Sequence, residues 1–384
     1  MDFKFDDVTD DVRNLCRNFA EKEIAPYAAQ WSEDHYFPVE VFKKLGKLGL
    51  MGMLMPTEYG GSDAGYVSYV AAMEEIGNAD QSIASSWNAH STIASLPLAR
   101  FGTEDQKQRW LRPLAEGTHI GAFGLTEPGA GSDAAGIKTR ARRDAGGWVI
   151  NGTKMFITNA GTAMSLGVTI LALTNAPNEE KRFGTFFIPK DTLGFTMGNS
   201  LRKLGWNASD TRELVFESCF IPDDHLIGEE GKGLRQFMEV LDPGRISVAA
   251  LSLSLAQAAL RLAVKHSSER EQFGRPISQF QAVSHKIADM ATECEAARWL
   301  VYRAAWLADC GLPFSEEAAM AKLYASEVAN RAASASLQIH GGYGYMLESE
   351  ISRFYADAKI LEIGEGTNEI QRNVIARSVL LRKK

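Results

Sequence analysis

The residues most able to do chemistry sit in five short clusters, and the last of them holds a carboxylate between two glycines. Glu365 lies between Gly364 and Gly366 in EIGEGTNEIQR, Glu362 to Arg372. By itself a carboxylate on such a turn reads as an ordinary turn residue, and its context must decide whether it does more. Earlier in the chain, LTEPGAGSD (Leu125 to Asp133) carries Gly129 and Gly131 on a loop. These glycines permit backbone conformations denied to other residues, and their N–H groups can face ligand oxygens. Read alone, the loop is equally a tight turn. KMFITNAG (Lys154 to Gly161), EREQFGRPISQFQ (Glu269 to Gln281) and QIHGGYGY (Gln338 to Tyr345) likewise mix glycine with polar residues amid regular structure. Other chemistries lack their signatures. G-A-G has no third glycine at dinucleotide-binding spacing, and GEEGKG (Gly228 to Gly233) reads as a helix-entry turn. The seven histidines form no compact metal-ligand set, and no G-x-S-x-G elbow occurs.

The elements that must position these clusters follow from periodicity. With 384 residues and 45% apolar side chains, the chain can bury a core spread over two or three lobes. A net charge of -7 with dispersed Lys and Arg offers no footprint for nucleic acid. Cys16, Cys219, Cys294 and Cys310 are far apart and read as reduced, buried thiols. The acidic start, MDFKFDDVTDDV, lacks the character of a targeting peptide, which predicts a cytoplasmic protein. Ile246 to Val264 is the most membrane-like stretch, but Gln257, Arg261 and several serines make it a bundle helix.

Helical spacing runs through Asp7 to Trp31, Val39 to Leu50, Val67 to Ile76 and Glu104 to Leu114. Short runs rich in β-branched and aromatic residues follow, with a hairpin expected at Asp144 to Gly147. Helical spacing returns after Gly231. The expected class is α+β, mainly α: a helical domain over 1–117, a central antiparallel β-barrel over 118–230, and a C-terminal four-helix bundle over 231–384.

Together, in this order and across nearly the whole chain, the five clusters resemble the acyl-CoA dehydrogenase family. That family has the same order of helical, β and helical domains, and the resemblance implies FAD as cofactor. Phe123, Leu125, Thr126, Gly131 and Ser132 take flavin-contacting positions, and Ser132 also resembles an acyl-CoA ligand. Phe156, Ile157 and Thr158 match the strand covering the flavin ring, where many relatives have Trp in place of Phe156. Arg270, Gln272, Phe273, Phe280, Gln281, Gln338, Gly341 and Gly342 resemble positions that reach the FAD of a neighbouring subunit, which implies a homo-oligomer, usually a tetramer. Asp242 and Arg245 in LDPGR match positions near CoA.

Glu365 aligns with the catalytic base, Gly366 with a substrate contact, and Thr367 and Glu369 with flavin neighbours. Some relatives place the base on the LDPGR helix, but Pro243 and Gly244 stand there and neither can take a proton. The resemblance thus implies α-proton removal by Glu365 and β-hydride transfer to FAD, giving a trans-2-enoyl-CoA, with the thioester oxygen accepting from the Glu365 N–H. Burial should raise the Glu365 pKa. An electron-transferring flavoprotein is the implied acceptor. Gly364 stands where many straight-chain relatives carry tyrosine, so tolerance of branched or bulky acyl groups is expected. Trp87 in SSWNAHS would cap the pocket short, and the absence of arginine there disfavours a dicarboxylyl substrate. Ala356, where an arginine is common, has no functional account. The alternatives are an acyl-CoA oxidase, a non-catalytic acyl-CoA-binding flavoprotein and a purely structural helical protein.

Overall fold

The structure, a computed structural model, describes residues 4–176 and 179–381, so the first three residues of the acidic N-terminal stretch lie outside it. The first helices are α1 (Asp7–Phe19), α2 (Ala28–Glu33), α3 (Val39–Lys47), α4 (Gly65–Ala79), α5 (Gln81–Ala89), α6 (Leu96–Phe101), α7 (Glu104–Gln106) and α8 (Arg112–Ala115). Asp6 starts α1 by accepting from the Thr9 N–H at 2.7 Å, which satisfies one of the donors a helix N-terminus leaves free. Arg13 and Arg17 then both reach Glu75 at 2.8 Å and tie α1 to α4. The single amphipathic helix expected over Asp7 to Trp31 is interrupted: a π-helical turn spans Ala20–Ile24 before α2 begins. Asp80 separates α4 from α5 and caps the latter through the Ile83 N–H at 2.9 Å.

The middle of the chain is a sheet of β1 (Ile120–Gly124), β2 (Arg140–Asp144), β3 (Gly147–Thr158), β4 (Ser165–Leu173), β5 (Phe183–Pro189), β6 (Phe195–Met197), β7 (Thr211–Pro222) and β8 (Leu226–Ile227). The hairpin is where the sequence places it, with Asp144 opposite Gly147 and Gly146 at a φ of 75°. The central β domain is where it is expected, and its sheet does not close on itself. The path runs β6-β7-β3-β2-β4-β5-β8, with β1 added on β4, and no ladder joins its two ends. β6 and β8 are three and two residues long, too short to extend the pairing around a closed barrel. β1 also runs parallel to β4, so the sheet is mixed. Its core holds Trp148, Phe186, Phe216, Ile150 and Val168.

The C-terminal helices are α9 (Gly233–Glu269), α10 (Gln281–Asp309), α11 (Ser315–His340), α12 (Glu350–Ala358) and α13 (Asn368–Leu381). Alanines on the buried faces of α9 and α11, such as Ala249, Ala256, Ala259, Ala325, Ala329 and Ala332, let these helices pack closely. A single hydrophobic core joins them to α1, α4 and α5, so N- and C-terminal helices bury each other. α9 is long and apolar enough to cross a membrane by length and composition, but 83% of its apolar window is buried against neighbours. Three cysteines are buried as expected; Cys310 is exposed, because it caps the end of α10 where the chain turns at Gly311.

One buried ion pair ties the sheet to the loop after β1. Lys154 on β3 donates to Glu127 Oε1 at 2.8 Å and to the Leu125 carbonyl at 3.2 Å, with 0% of its side chain exposed. Glu127 in turn accepts from the Lys138 and Thr139 N–H groups. Burial lowers the Lys154 pKa to about 8. Removing one partner of such a pair leaves an uncompensated charge, so Lys154→Met should cost roughly 3–5 kcal/mol in urea unfolding, and adding Glu127→Leu should recover much of the loss.

Candidate active site

Glu365 sits on the five-residue link between a 3-10 turn (Lys359–Glu362) and α13. Its backbone has a φ of 52°, a left-handed conformation that costs energy for a residue with a Cβ and persists only when the surroundings impose it. Here the imposing groups are visible. Lys322 on α11, fully buried, donates to the Gly366 carbonyl at 2.9 Å and to Asn368 Oδ1 at 3.0 Å. Gln371 donates to the same carbonyl at 2.9 Å, and Ser326 reaches Asn368 Oδ1 at 3.1 Å. Thr367 Oγ1 accepts from the Ile370 N–H at 3.4 Å and caps α13, whereas Glu369 is exposed. The Glu365 N–H has no backbone acceptor among the described residues.

The carboxyl group points into the helical core. Asn88 Nδ2 donates to Glu365 Oε1 at 3.2 Å, while Oε2 is buried and unpartnered. Gly244 on α9 abuts that oxygen, and a Cβ at 244 would collide with it. Burial pushes the Glu365 pKa up to about 8, against the opposing pull of Lys322, Asn88 and Arg245. Lys322 is likewise lowered to about 8 by burial, against the pull of Glu365 and Glu362. Also on α9, Arg245 donates to Asp242 Oδ1 at 2.5 Å, and the Ser315 hydroxyl to the same atom at 3.0 Å. Arg245 Nε is buried and unpartnered, a donor available to an anionic ligand.

A second group of expected residues lies where β3 meets the loop after β1. Met155 N donates to the Thr126 carbonyl at 2.9 Å, beside the Lys154 contact to Leu125. Phe156 then leaves the ladder at an irregularity between Lys154 and Ile157, with a φ of 62° and 66% of its surface exposed. The ring is thus held out of the core on strained backbone. Ile157 turns inward, Thr158 is half-buried, and Gly131 and Ser132 are exposed. Gly129 and Gly131 are not in left-handed conformations, contrary to the reading of that loop; a Cβ at either would meet nothing within 4 Å, so their contribution is open space. Phe123 stacks on Phe237 of α9 with centroids 4.3 Å apart.

The two groups are joined through Asn159, the residue after Thr158. Its amide donates to the Ser86 carbonyl at 2.9 Å, two residues before Asn88. Trp87 between them is fully buried, with its indole N–H on the Leu50 carbonyl at 3.0 Å.

A third group stands apart. Arg270 ends α9 and lies 5.7 Å from the Tyr343 ring centroid, and His266 stacks on His340 at 4.2 Å. These residues line an open cleft of about 660 Å³. Phe273 is 93% exposed with a φ of 52°, in edge contact with Phe280, and Gln272, Gln281, Gln338, Gly341 and Gly342 are exposed too. Among the described residues, no hydrogen bond or ring contact joins this group to Glu365 or Phe156.

Sequence reasoning did not find Asn88, Lys322, Tyr69 or Gln371. Lys322 alone left a trace, as a cation at a core-facing position of an alanine-rich helix. Asn88 belongs to a helix buried all round and gave no periodic signal.

Comparison with known proteins identifies the family. Residues 6–118, 122–219 and 231–380 match the N-terminal, middle and C-terminal domain models of acyl-CoA dehydrogenase. The chain is 48% identical to a probable acyl-CoA dehydrogenase of Bacillus subtilis over 99% of its own length and 100% of that protein's. It superposes on butyryl-CoA dehydrogenase of Megasphaera elsdenii with a TM-score of 0.96 and 41% identity, over 99% of this chain and 100% of that one. An acyl-CoA dehydrogenase of Bacillus anthracis solved with FAD gives a TM-score of 0.93 at 34% identity, over 98% of this chain and 67% of that one. The chain belongs to the acyl-CoA dehydrogenase family, whose members are FAD-dependent oxidoreductases.

Proposed function

We propose that the protein removes two hydrogens from a short acyl-CoA thioester to give the trans-2-enoyl-CoA, with Glu365 taking the α-proton. The observation that carries this reading is a buried, half-partnered carboxylate whose strained backbone is clamped in place. The residues present fit FAD: open space beside Gly129 and Gly131, and a strained, solvent-facing Phe156. Phe123, Leu125, Thr126, Gly131, Ser132, Phe156, Ile157, Thr158, Thr367 and Glu369 would hold the flavin. When bound, FAD supplies the hydride acceptor.

The chain's own residues supply the rest. Burial raises the proton affinity of Glu365 towards working pH, where a general base is most effective. The free N–H of Glu365 is a donor for the thioester oxygen, placed where charge grows as the proton leaves. Arg245, paired with Asp242, and Ser132 are the proposed contacts for the CoA portion, and Gly366 for the acyl end. The cleft at Arg270, His340 and Tyr343 suits a diphosphate, since a guanidinium fork matches paired phosphate oxygens. With Gln272, Phe273, Phe280, Gln281, Gln338, Gly341 and Gly342, it would receive the FAD of a neighbouring subunit in a homotetramer. A Phe273 ring left 93% exposed is consistent with a second subunit covering it. We further propose that the protein is cytoplasmic, that its domains span 1–117, 118–230 and 231–384, and that an electron-transferring flavoprotein accepts its electrons. Peroxide formation without added acceptor would instead mark an oxidase.

Three outcomes test the reading. Anaerobic acyl-CoA should bleach the bound flavin of the wild type, while Glu365→Gln should stay yellow and lose roughly 10²–10⁴ in turnover; full turnover in that variant rejects the base. Because Glu365 acts as the carboxylate, kcat/KM should fall about tenfold per unit as pH drops below about 8 and level off above it. A Cβ at Gly364 would meet only the Ile360 carbonyl at 3.5 Å, leaving room for a methyl branch. Gly364→Tyr should therefore lower kcat/KM for 2-methylbutyryl-CoA relative to butyryl-CoA by about tenfold or more in a substrate panel.

A further inference from the structure

The two oxygens of the Glu365 carboxyl have different surroundings. Oε1 accepts from Asn88 Nδ2 at 3.2 Å. Oε2 is buried without a partner and faces the bare backbone of Gly244. Asn88 is itself held from behind: the Tyr69 hydroxyl donates to its Oδ1 at 3.4 Å, and the Thr92 hydroxyl lies 3.4 Å from the same oxygen while donating to the Asn88 carbonyl at 2.8 Å. With the Thr92 proton committed to the Asn88 carbonyl, the Tyr69 hydroxyl is the donor to Oδ1, and the acceptor-only carboxylate of Glu365 requires that the NH₂ end face it, so Nδ2 is the end turned to the carboxylate. Tyr69 and Asn88 are 0% and 3% exposed.

We propose that Asn88 is a positioning residue that anchors Oε1 of Glu365, leaving Oε2 as the oxygen that takes the substrate proton. The inference rests on the acyl-CoA dehydrogenation reading above. A proton arriving on Oε2 leaves Oε1 as a carbonyl, which still accepts from Asn88, so the carboxyl need not rotate during the transfer. A proton on Oε1 would set an O–H against an N–H, two donors facing each other. Gly244 keeps the space beside Oε2 clear.

No other described side chain hydrogen-bonds this carboxylate. Lys322, facing it from α11, directs its hydrogen bonds to Gly366 and Asn368, and Arg245, facing it from α9, pairs with Asp242. Tyr69 faces it from α4, where the negative charge of Glu365 helps keep the phenol protonated after burial has done most of that work. Glu362 and Glu369, on the adjoining segments, act on Lys322 and reach Glu365 only through it.

The test uses Asn88→Ala and the isosteric Asn88→Asp in the full-length holoenzyme. Two readouts are followed between roughly pH 6 and 10: kcat and KM with butyryl-CoA, and the protonated-carboxyl stretch of Glu365 by infrared difference against Glu365→Gln. Asn88→Ala should lower kcat about tenfold with KM changed less than about twofold, and move both the acid limb and the infrared titration upward. Asn88→Asp should move them further, because a like charge faces the carboxylate. An Asn88 variant that folds with an unchanged pH limb and infrared titration overturns the inference. Wild-type protein that bleaches with no acyl-CoA overturns the dehydrogenase reading instead, so the two failures are distinguishable.

Discussion

A carboxylate taken out of water is costly unless its surroundings repay the lost hydration, and a base that is fully paired has no oxygen left for a proton. Around Glu365 the groups that support the charge are kept apart from the oxygen left without a partner. The cation that offsets the negative charge, Lys322, makes its hydrogen bonds to the backbone beyond the carboxylate. The one direct donor, Asn88, is a neutral amide on a different helix. Gly244, on a third helix, contributes nothing but clearance. α5, α9 and α11 must therefore pack in fixed relation, and the continuous apolar core that runs through all three supplies that rigidity.

Part of the backbone strain falls at the candidate site. Of the eight non-glycine residues with positive φ among those described, His35, Asp63, Trp206 and Ser218 lie outside the candidate clusters, and the other four are Phe156, Asn159, Phe273 and Glu365. Each is over-determined by its neighbours or faces outward as if for a ligand. Phe156 is pushed out by a bulge between a buried lysine and a buried isoleucine; Asn159 is tied to the Ser86 carbonyl. A conformation costing on the order of 1–3 kcal/mol survives at such positions because the packed sheet and bundle hold the chain on either side.

Much of this was legible in the sequence. The change from helical spacing to β-rich runs and back marked the three parts, and the glycine-flanked Glu365 and the Lys154 to Gly161 strand stood out as local departures from regular structure. The reading weakened where burial erased contrast. α5 has eight consecutive buried residues, Gln81 to Asn88, so no polar face betrays it and its polar groups look like a loop. Strand composition predicts a β domain but does not reveal which edges remain unpaired or that β1 runs parallel to β4. Gly129 and Gly131 were credited with unusual conformations when the fold uses only their lack of bulk.

A glycine-flanked carboxylate at 365 and the order of the elements could be read from the chain directly, because these are local choices of residue type and hydrophobic period. The surroundings of that carboxylate exist only once the chain has folded. Asn88 lies 277 residues from Glu365 and Lys322 lies 44 from Gly366, and their effect depends on distances of about 3 Å that no spacing rule encodes. Proton affinity in a buried site is set by desolvation and by the charges and donors that long-range packing brings within reach. That packing is a property of the folded chain.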